Sequence, residues 1–332
     1  MSVVYIVGAP RSGTTWLQRM LGSHPAIASP QETDLISAYV APLHAAWAQQ
    51  LPRSAEDWNV RRHRGLPAVF TRDEFDASIT RFVESAYATV LACKPGARVL
   101  LEKNPIHSFH IETILGVARH ARFVHLLRDG RDVVASLTRA AAGWGGSWAP
   151  SHVVDATEVW LRHVRSARGA LSAPGGYMEV RYEDLRSAAG PDHLRRVLAF
   201  CGVDATAELA GALFEQHLIG SAGEASGGIV WSGEVVARSS SEPREPDGFV
   251  GAGVVGGWRQ SMSAHDRRVF NRVGGTLLIE LGYASDGRWA RPTTWREFTA
   301  VGAHAIRLVP GRRRSMSREL LARAAPTVTG QR

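Results

Sequence analysis

Only two cysteines occur in 332 residues. Cys93 and Cys201 stand alone and far apart, which excludes a disulfide scaffold and a thiolate zinc site. Lysine is equally rare: of the 39 basic residues only Lys94 and Lys103 are lysines, and the rest are arginines. No apolar run approaches the ~20 residues that a membrane-spanning helix needs. No basic stretch or small-residue cleavage site surrounds Val3-Val4-Tyr5-Ile6-Val7, so no secretory signal is expected and a cytoplasmic protein is the default. The 13 histidines show no metal-ligand spacing. Ser12 does not lie in the Gly-x-Ser-x-Gly elbow of a serine hydrolase. At 45% hydrophobic and 21% charged the composition is that of a packed globular protein, which argues against wholesale disorder.

The formal charge of +8 is unevenly placed. Residues 305–332 hold seven arginines and one glutamate, leaving about +2 for everything before them. A nearly neutral body with a basic tail is not the footprint of a duplex-binding domain, and no nucleic-acid partner is expected for the body. Such a tail is most often a solvated or frayed end, and it leaves phosphate, RNA or peripheral anionic-membrane contact open. A lysine retained in so arginine-rich a chain points to a need for an ammonium rather than a guanidinium. Lys94, in Cys93-Lys94-Pro95-Gly96, reads as a surface turn residue. Lys103, ending an apolar strand, is the candidate for a role.

Strand and helix patterns alternate along the chain. Val3 to Val7, Val99 to Leu101, Phe123 to Leu127 and Met178 to Arg181 read as buried parallel strands. Helices are expected over Thr14 to Leu21, Ile106 to Val117, Asp132 to Ala142, Val153 to Leu171, His193 to Cys201 and Asp266 to Leu281. A mostly helical insertion covers about 31–91, with apolar spacing at Phe75, Ile79, Phe82 and Val83. This order implies an α/β, three-layer fold of P-loop type, a central parallel sheet with helices on both faces. The expected organisation is one domain over 1–285 with a Gly/Ser-rich lid loop at about 220–257, then a C-terminal extension over 286–332 ending in the basic tail.

The first strand runs into Gly8-Ala9-Pro10-Arg11-Ser12-Gly13-Thr14-Thr15 just before a helix. Glycines that permit close backbone approach, followed by helix N-terminal amides, form a cradle for phosphate. Thr14 stands where a nucleotide triphosphatase needs lysine, and no Walker-B aspartate ends the Phe123 to Leu127 strand. The loop is therefore poorly equipped for β,γ-phosphate chemistry, yet suited to a single phosphate carrying a sulfuryl group.

Three motifs in register resemble the sulfotransferases that use 3′-phosphoadenosine 5′-phosphosulfate (PAPS), and most closely the bacterial branch similar to tyrosylprotein sulfotransferases. Tyr5 to Leu17 resembles the 5′-phosphosulfate loop. Arg122 to Ser136 resembles the 3′-phosphate motif, with Arg128 at a strand end and Ser136 eight residues later. Val180 to Leu185 resembles the strand end that follows the family's long helix. The resemblance implies PAPS as co-substrate, adenosine 3′,5′-bisphosphate (PAP) as product, and no metal. It also implies a cofactor site of Arg11, Ser12, Gly13, Thr14, Thr15, Trp16, Arg128, Ser136 and Tyr182. Because ligands bind at the carboxyl ends of parallel strands, Arg11, Lys103, Arg128 and Tyr182 should share one rim.

The implied reaction is in-line displacement at sulfur, which needs a base for the acceptor proton and cations for the leaving phosphate. Lys103 matches the family lysine that contacts the sulfuryl group, with Arg11 and the loop amides on the 5′-phosphate. Glu32, 21 residues after Arg11, resembles the catalytic glutamate of the tyrosylprotein enzymes, and the extended Ala26 to Ser29 run would return it to the rim. The competing base is His107, four residues after Lys103, whereas the cytosolic branch places its histidine two residues after the lysine. The family's C-terminal phosphate loop is altered: Gly251 to Arg259 keeps the spacing without the leading basic pair, so either Arg244 or Arg259 substitutes or the 3′-phosphate depends more on Arg128. Gly143-Trp144-Gly145-Gly146-Ser147-Trp148 reads as a lid or an aromatic acceptor cleft. A small-molecule, lipid or sugar hydroxyl is the expected acceptor. The alternatives are a P-loop kinase using Mg-ATP and a catalytically silent nucleotide-binding module.

Overall fold

A computed structural model describes residues 2–52, 54–218 and 253–291. Five strands, β1 (Ser2–Val7), β2 (Ile27–Ala28), β3 (Val99–Lys103), β4 (Arg122–Leu127) and β5 (Tyr177–Arg181), form one sheet in the order β2-β3-β1-β4-β5. Every pairing is parallel, with Ile6 beside Lys103 and Val7 beside His125. Because alternate residues of a strand face opposite sides, Val4 and Ile6 enter one core and Val3, Tyr5 and Val7 the other. The first core is closed by α1 (Thr14–Gly22), α9 (Gly190–Cys201) and α10 (Ala207–Gln216). The second is closed by α4 (Arg72–Ala92) and α5 (Ile111–Val117). A third cluster joins α6 (Gly130–Ala141), α7 (Val153–Ala167) and α12 (Ala264–Glu280) beside the carboxyl end of the sheet. The fold is thus α/β and P-loop-like, as the strand pattern implied.

Several boundaries differ from the sequence reading. Pro105 cannot donate to a helix ladder, and residues 105–109 form a 3-10 turn ahead of α5. The helix read through Leu171 ends at Ala167 in another 3-10 turn. In α4 the core side chains are Phe75, Ile79, Val83 and Tyr87, while Phe82 lies exposed. The insertion opens with a π-helix, Leu35–Val40, followed by α2 (Ala41–Gln50) and α3 (Ala55–Arg61). Packing also continues past residue 285, since the Trp289 ring meets Trp258 edge-on at 5.4 Å. Most of the expected lid loop and the basic tail lie outside the described residues, as does Arg244. No described helix is long and apolar enough to cross a membrane.

Lys94 corrects the sequence reading most plainly. Half-buried after α4, its Nζ donates to the carbonyls of Gly22 (2.6 Å), His24 (2.8 Å) and Ile27 (2.8 Å). These carbonyls belong to the end of α1, where helix carbonyls lack intrahelical partners, to the turn after it and to the first residue of β2. Three convergent acceptors suit a tetrahedral ammonium, and a planar guanidinium does not satisfy them together. Lys94→Ala should therefore lower unfolding free energy by roughly 2–3 kcal/mol, measured by urea denaturation. A change below about 0.5 kcal/mol, the range of neutral surface substitutions, would refute the assignment.

Candidate active site

The glycine-containing loop leaves β1 at Gly8 and enters α1 at Thr14. Gly8 has φ +147°, and a Cβ there would stand 2.6 Å from the Leu126 carbonyl oxygen. Gly13 has φ +93° and no room either, since a Cβ would stand 2.6 Å from the Tyr182 ring. Arg11 itself adopts a left-handed φ of 69°. The Gly8 amide donates to Ser108 Oγ at 3.2 Å, tying the loop to the turn after β3. No side chain caps the N-terminus of α1, so its leading amides face the cavity beyond it.

That cavity measures about 350 Å³ and lies between loop residues 13–16 and a wall of Arg128, Ser136, Arg139 and Tyr182. Arg128, at the end of β4, braces both sides. It donates to the Arg11 carbonyl at 3.0 Å and to the Val254 carbonyl at 3.1 Å, with its guanidinium 4.3 Å above the Tyr182 ring. Arg128 forms no salt bridge with the neighbouring Asp129 or Asp132. Asp129 is taken by Arg131 at 2.6 Å, and Asp132 accepts the amides of Gly256 (2.7 Å) and Trp258 (2.8 Å). Arg128 Nε is buried without a hydrogen-bond partner. Arg11 Nε donates to Ser136 Oγ at 3.1 Å, so the loop cation and the helix hydroxyl share one wall.

Burial raises the Asp132 carboxyl above its ordinary value, against the two amides that favour its charge. Burial likewise raises the Tyr182 phenol, which donates its proton to the Gly253 carbonyl at 3.0 Å. Asp132 and Tyr182 thereby hang the 253–258 turn over the cavity. Arg259 lies 4.7 Å from the Trp258 ring and does not line the cavity, whereas Gln260 and Ser261 do. Trp144 lies 5.3 Å from the Arg11 guanidinium and 5.5 Å from Trp148, which brings the tryptophan loop to the phosphate loop.

Lys103 and Glu32 pair with each other, and unlike Arg11, Arg128 and Tyr182, with which Lys103 was expected to share a rim, neither lines the cavity. The Lys103 side chain is 2% exposed and its Nζ lies 2.5 Å from Glu32 Oε1, while Glu32 stays accessible at 38%. Three successive residues of β3 and its exit hold three successive residues of the insertion. Glu102 accepts from Thr33, Lys103 pairs with Glu32, and Asn104 donates to Asp34 at 2.8 Å. The preceding residues are fixed by Gln18, which donates to Ser29 Oγ at 2.9 Å and to the Pro30 carbonyl at 2.8 Å. His107 lies elsewhere. It is fully buried, edge-on to Tyr5 at 5.2 Å and 3.6 Å from Glu102, and neither ring nitrogen has a hydrogen-bond partner.

Comparison with known proteins decides the family. The model described as "Sulfotransferase family" matches residues 3–207, more than half of the chain. The chain belongs to the sulfotransferase family. It is 27% identical over 230 residues to protein-tyrosine sulfotransferase 1 of Danio rerio, covering 68% of this chain and 59% of that protein. It is 26% identical over 225 residues to the putative protein-tyrosine sulfotransferase of Caenorhabditis briggsae, covering 66% and 71%. Nodulation protein NoeE of Sinorhizobium fredii is 26% identical over 318 residues, covering 87% of this chain and 68% of that one. A mouse sulfotransferase solved with PAP superposes with a TM-score of 0.51 at 13% identity, covering 87% of this chain and 88% of that one, a likeness of fold.

Within this sulfotransferase the structure brings Arg11, Gly13, Thr14, Thr15, Trp16, Arg128, Ser136 and Tyr182 to one cavity. Ser12 is buried in the loop turn, its amide donating to the Ala9 carbonyl at 3.1 Å. Sequence reasoning missed Ser108, Asp132, Arg139, Gln260 and Ser261. None carries a local signal: each becomes visible only when the 3-10 turn, α6 and the 253–261 segment meet at the sheet end.

Proposed function

We propose that this sulfotransferase moves a sulfuryl group from PAPS to a hydroxyl acceptor by in-line displacement, without a metal. The observation that carries this reading is one cavity holding two cationic stations. One is the uncapped helix N-terminus with Arg11; the other is Arg128 with Ser136 and a buried Nε lacking a partner. A ligand with phosphates at 5′ and 3′ satisfies both. The loop amides and Arg11 would hold the 5′-phosphate, Arg128 and Ser136 the 3′-phosphate, and Trp16 and Tyr182 would supply apolar walls. Lys103 would stabilise charge on the oxygen joining sulfur to the 5′-phosphate. Glu32, the accessible member of the pair, would take the acceptor proton as a bond forms between acceptor oxygen and sulfur and the bond from sulfur to the 5′-phosphate oxygen breaks. The enclosed His107 is poorly placed to meet an acceptor. The acceptor class is a small-molecule, lipid or sugar hydroxyl; the names of the animal relatives support adding a tyrosyl phenol to any acceptor panel.

Calorimetric titration with PAP in the absence of magnesium tests the site. The wild-type chain should bind it in preference to ATP, and Arg128→Ala should weaken binding on the order of 10²-fold, the loss of charge-assisted hydrogen bonds to one phosphate. A preference for Mg-ATP, or an unchanged affinity in the variant, would overturn the reading.

A further inference from the structure

Glu102 is the most deeply buried carboxylate among the described residues, with a side chain 0% exposed. A carboxylate is costly to enclose unless hydrogen bonds offset the loss of water. Glu102 has one such bond among the described residues. Its Oε1 accepts from the Thr33 hydroxyl. Its Oε2 has no hydrogen-bond partner and lies 3.6 Å from His107 Nε2, which is likewise unbonded. Tyr5, its neighbour across the register on β1, and Tyr87 on α4 join their hydroxyls to each other at 2.7 Å. For packing alone an apolar side chain would serve better at this position. The use of the carboxylate must lie outside the core.

The contact with Thr33 indicates that use. The Thr33 hydroxyl is engaged on both sides: it donates to Glu102 and accepts from the Leu35 amide at 3.2 Å. Between these anchor points Asp34 has a left-handed φ of 53°. A residue other than glycine keeps that conformation only where its surroundings impose it. Directly before Thr33 stands Glu32, 38% exposed, with Lys103 as its one polar partner among the described residues. A carboxylate so lightly held takes its position from the backbone beneath it.

We infer that Glu102 is a positioning residue for the transfer reaction: through the Thr33 hydroxyl it fixes the 32–35 backbone and so sets the Glu32 carboxylate at Lys103. The inference rests on the reading of Glu32 as the base given above. The role is that of a hydrogen-bond acceptor, so an amide oxygen at residue 102 should fill it and an alkyl group should not.

The test follows turnover of labelled PAPS per PAP-binding site, with phenol, alkyl glucoside and long-chain alcohol acceptors, or with water where none is used. Hydrogen exchange at the Leu35 amide is followed in parallel. Thr33→Val and Glu102→Leu should each lower kcat about 10- to 100-fold, the scale of a misplaced group, with PAP affinity within about twofold. Exchange at Leu35 should quicken about tenfold in both, the loss of one hydrogen bond. Thr33→Ser and Glu102→Gln keep the donor and the acceptor, and should stay within about threefold of wild type in both readouts. Because the effect passes through Glu32, adding Thr33→Val to Glu32→Gln should cost less than about threefold more. Should Glu102→Leu not fold, the half-buried Thr33 and the Glu102→Gln variant decide the matter. A full rate in Thr33→Val beside a slow Glu32→Gln would overturn this inference and leave the base in place. So would losses that multiply in the double variant, or no recovery in Thr33→Ser. A full rate in Glu32→Gln itself would remove the base, and this inference with it.

Discussion

Glu32→Gln is expected to lower kcat by 10²–10⁴-fold, on the order of what a positioned general base contributes, while PAP affinity stays within about twofold. The substitution keeps size and hydrogen-bonding capacity but cannot take a proton. Its neighbours favour an intact local structure: Thr33 and Asp34 remain held by Glu102 and Asn104, and Pro30 by Gln18. The separation of effects follows from placement, since Glu32 lies outside the cavity that lodges Arg11, Arg128 and Ser136. Single-turnover kinetics with labelled PAPS, beside the PAP titration, reads both quantities. His107→Asn provides the contrast. Because that ring is fully buried against Tyr5, its loss should lower stability more than it lowers the rate of transfer. A full rate in Glu32→Gln with a collapsed rate in a folded His107→Asn would reverse the assignment of the base.

Gly13→Ala should abolish measurable PAP binding, a loss of at least about 10²-fold, and cost roughly 2–4 kcal/mol of stability. Gly96→Ala serves as its control. Both glycines have positive φ, +93° and +85°, so both substitutions carry backbone strain of about 1 kcal/mol. They differ in space. Nothing lies within 4 Å of a Cβ at Gly96, whereas one at Gly13 would stand 2.6 Å from Tyr182 Cδ2. The Tyr182 ring has no easy retreat. It is packed edge-on by Trp16 at 5.6 Å, covered by the Arg128 guanidinium, and bonded to the Gly253 carbonyl. Displacing it would take with it Arg128 and the turn over the cavity. Chemical denaturation and the PAP titration of both variants separate the clash from the strain; equal behaviour of the two would show that the contact does not matter.

The parts of this site legible in the sequence are those written locally. A β-branched run ending in glycines before a helix already specifies the strand, tight turn and helix of the β1–α1 junction, and Arg128 and Ser136 sit eight residues apart across one strand-to-helix junction. Lys103 stood out because so few lysines occur. The same reasoning failed for Lys94, whose partners Gly22, His24 and Ile27 lie some 70 positions away in the chain. Asp132 was opaque for a related reason: its partners are backbone amides of Gly256 and Trp258, and a backbone group carries no residue-type signal. The π-helix at Leu35–Val40 was hidden as well, since its apolar spacing fits an ordinary helix.

The three paired contacts between residues 102–104 and 32–34 act as a length gauge. Each rung joins a particular acid, hydroxyl, amide or ammonium to its opposite number, so the segment has a single satisfactory register. Removing one residue before Pro30 would slide every rung at once, setting Thr33 opposite Lys103 and Asp34 opposite Glu102, carboxylate against carboxylate. The spacing between the first helix and this segment is therefore as tightly constrained as the side chains themselves, and extra residues belong on the far side of Asp34, where the π-helix begins.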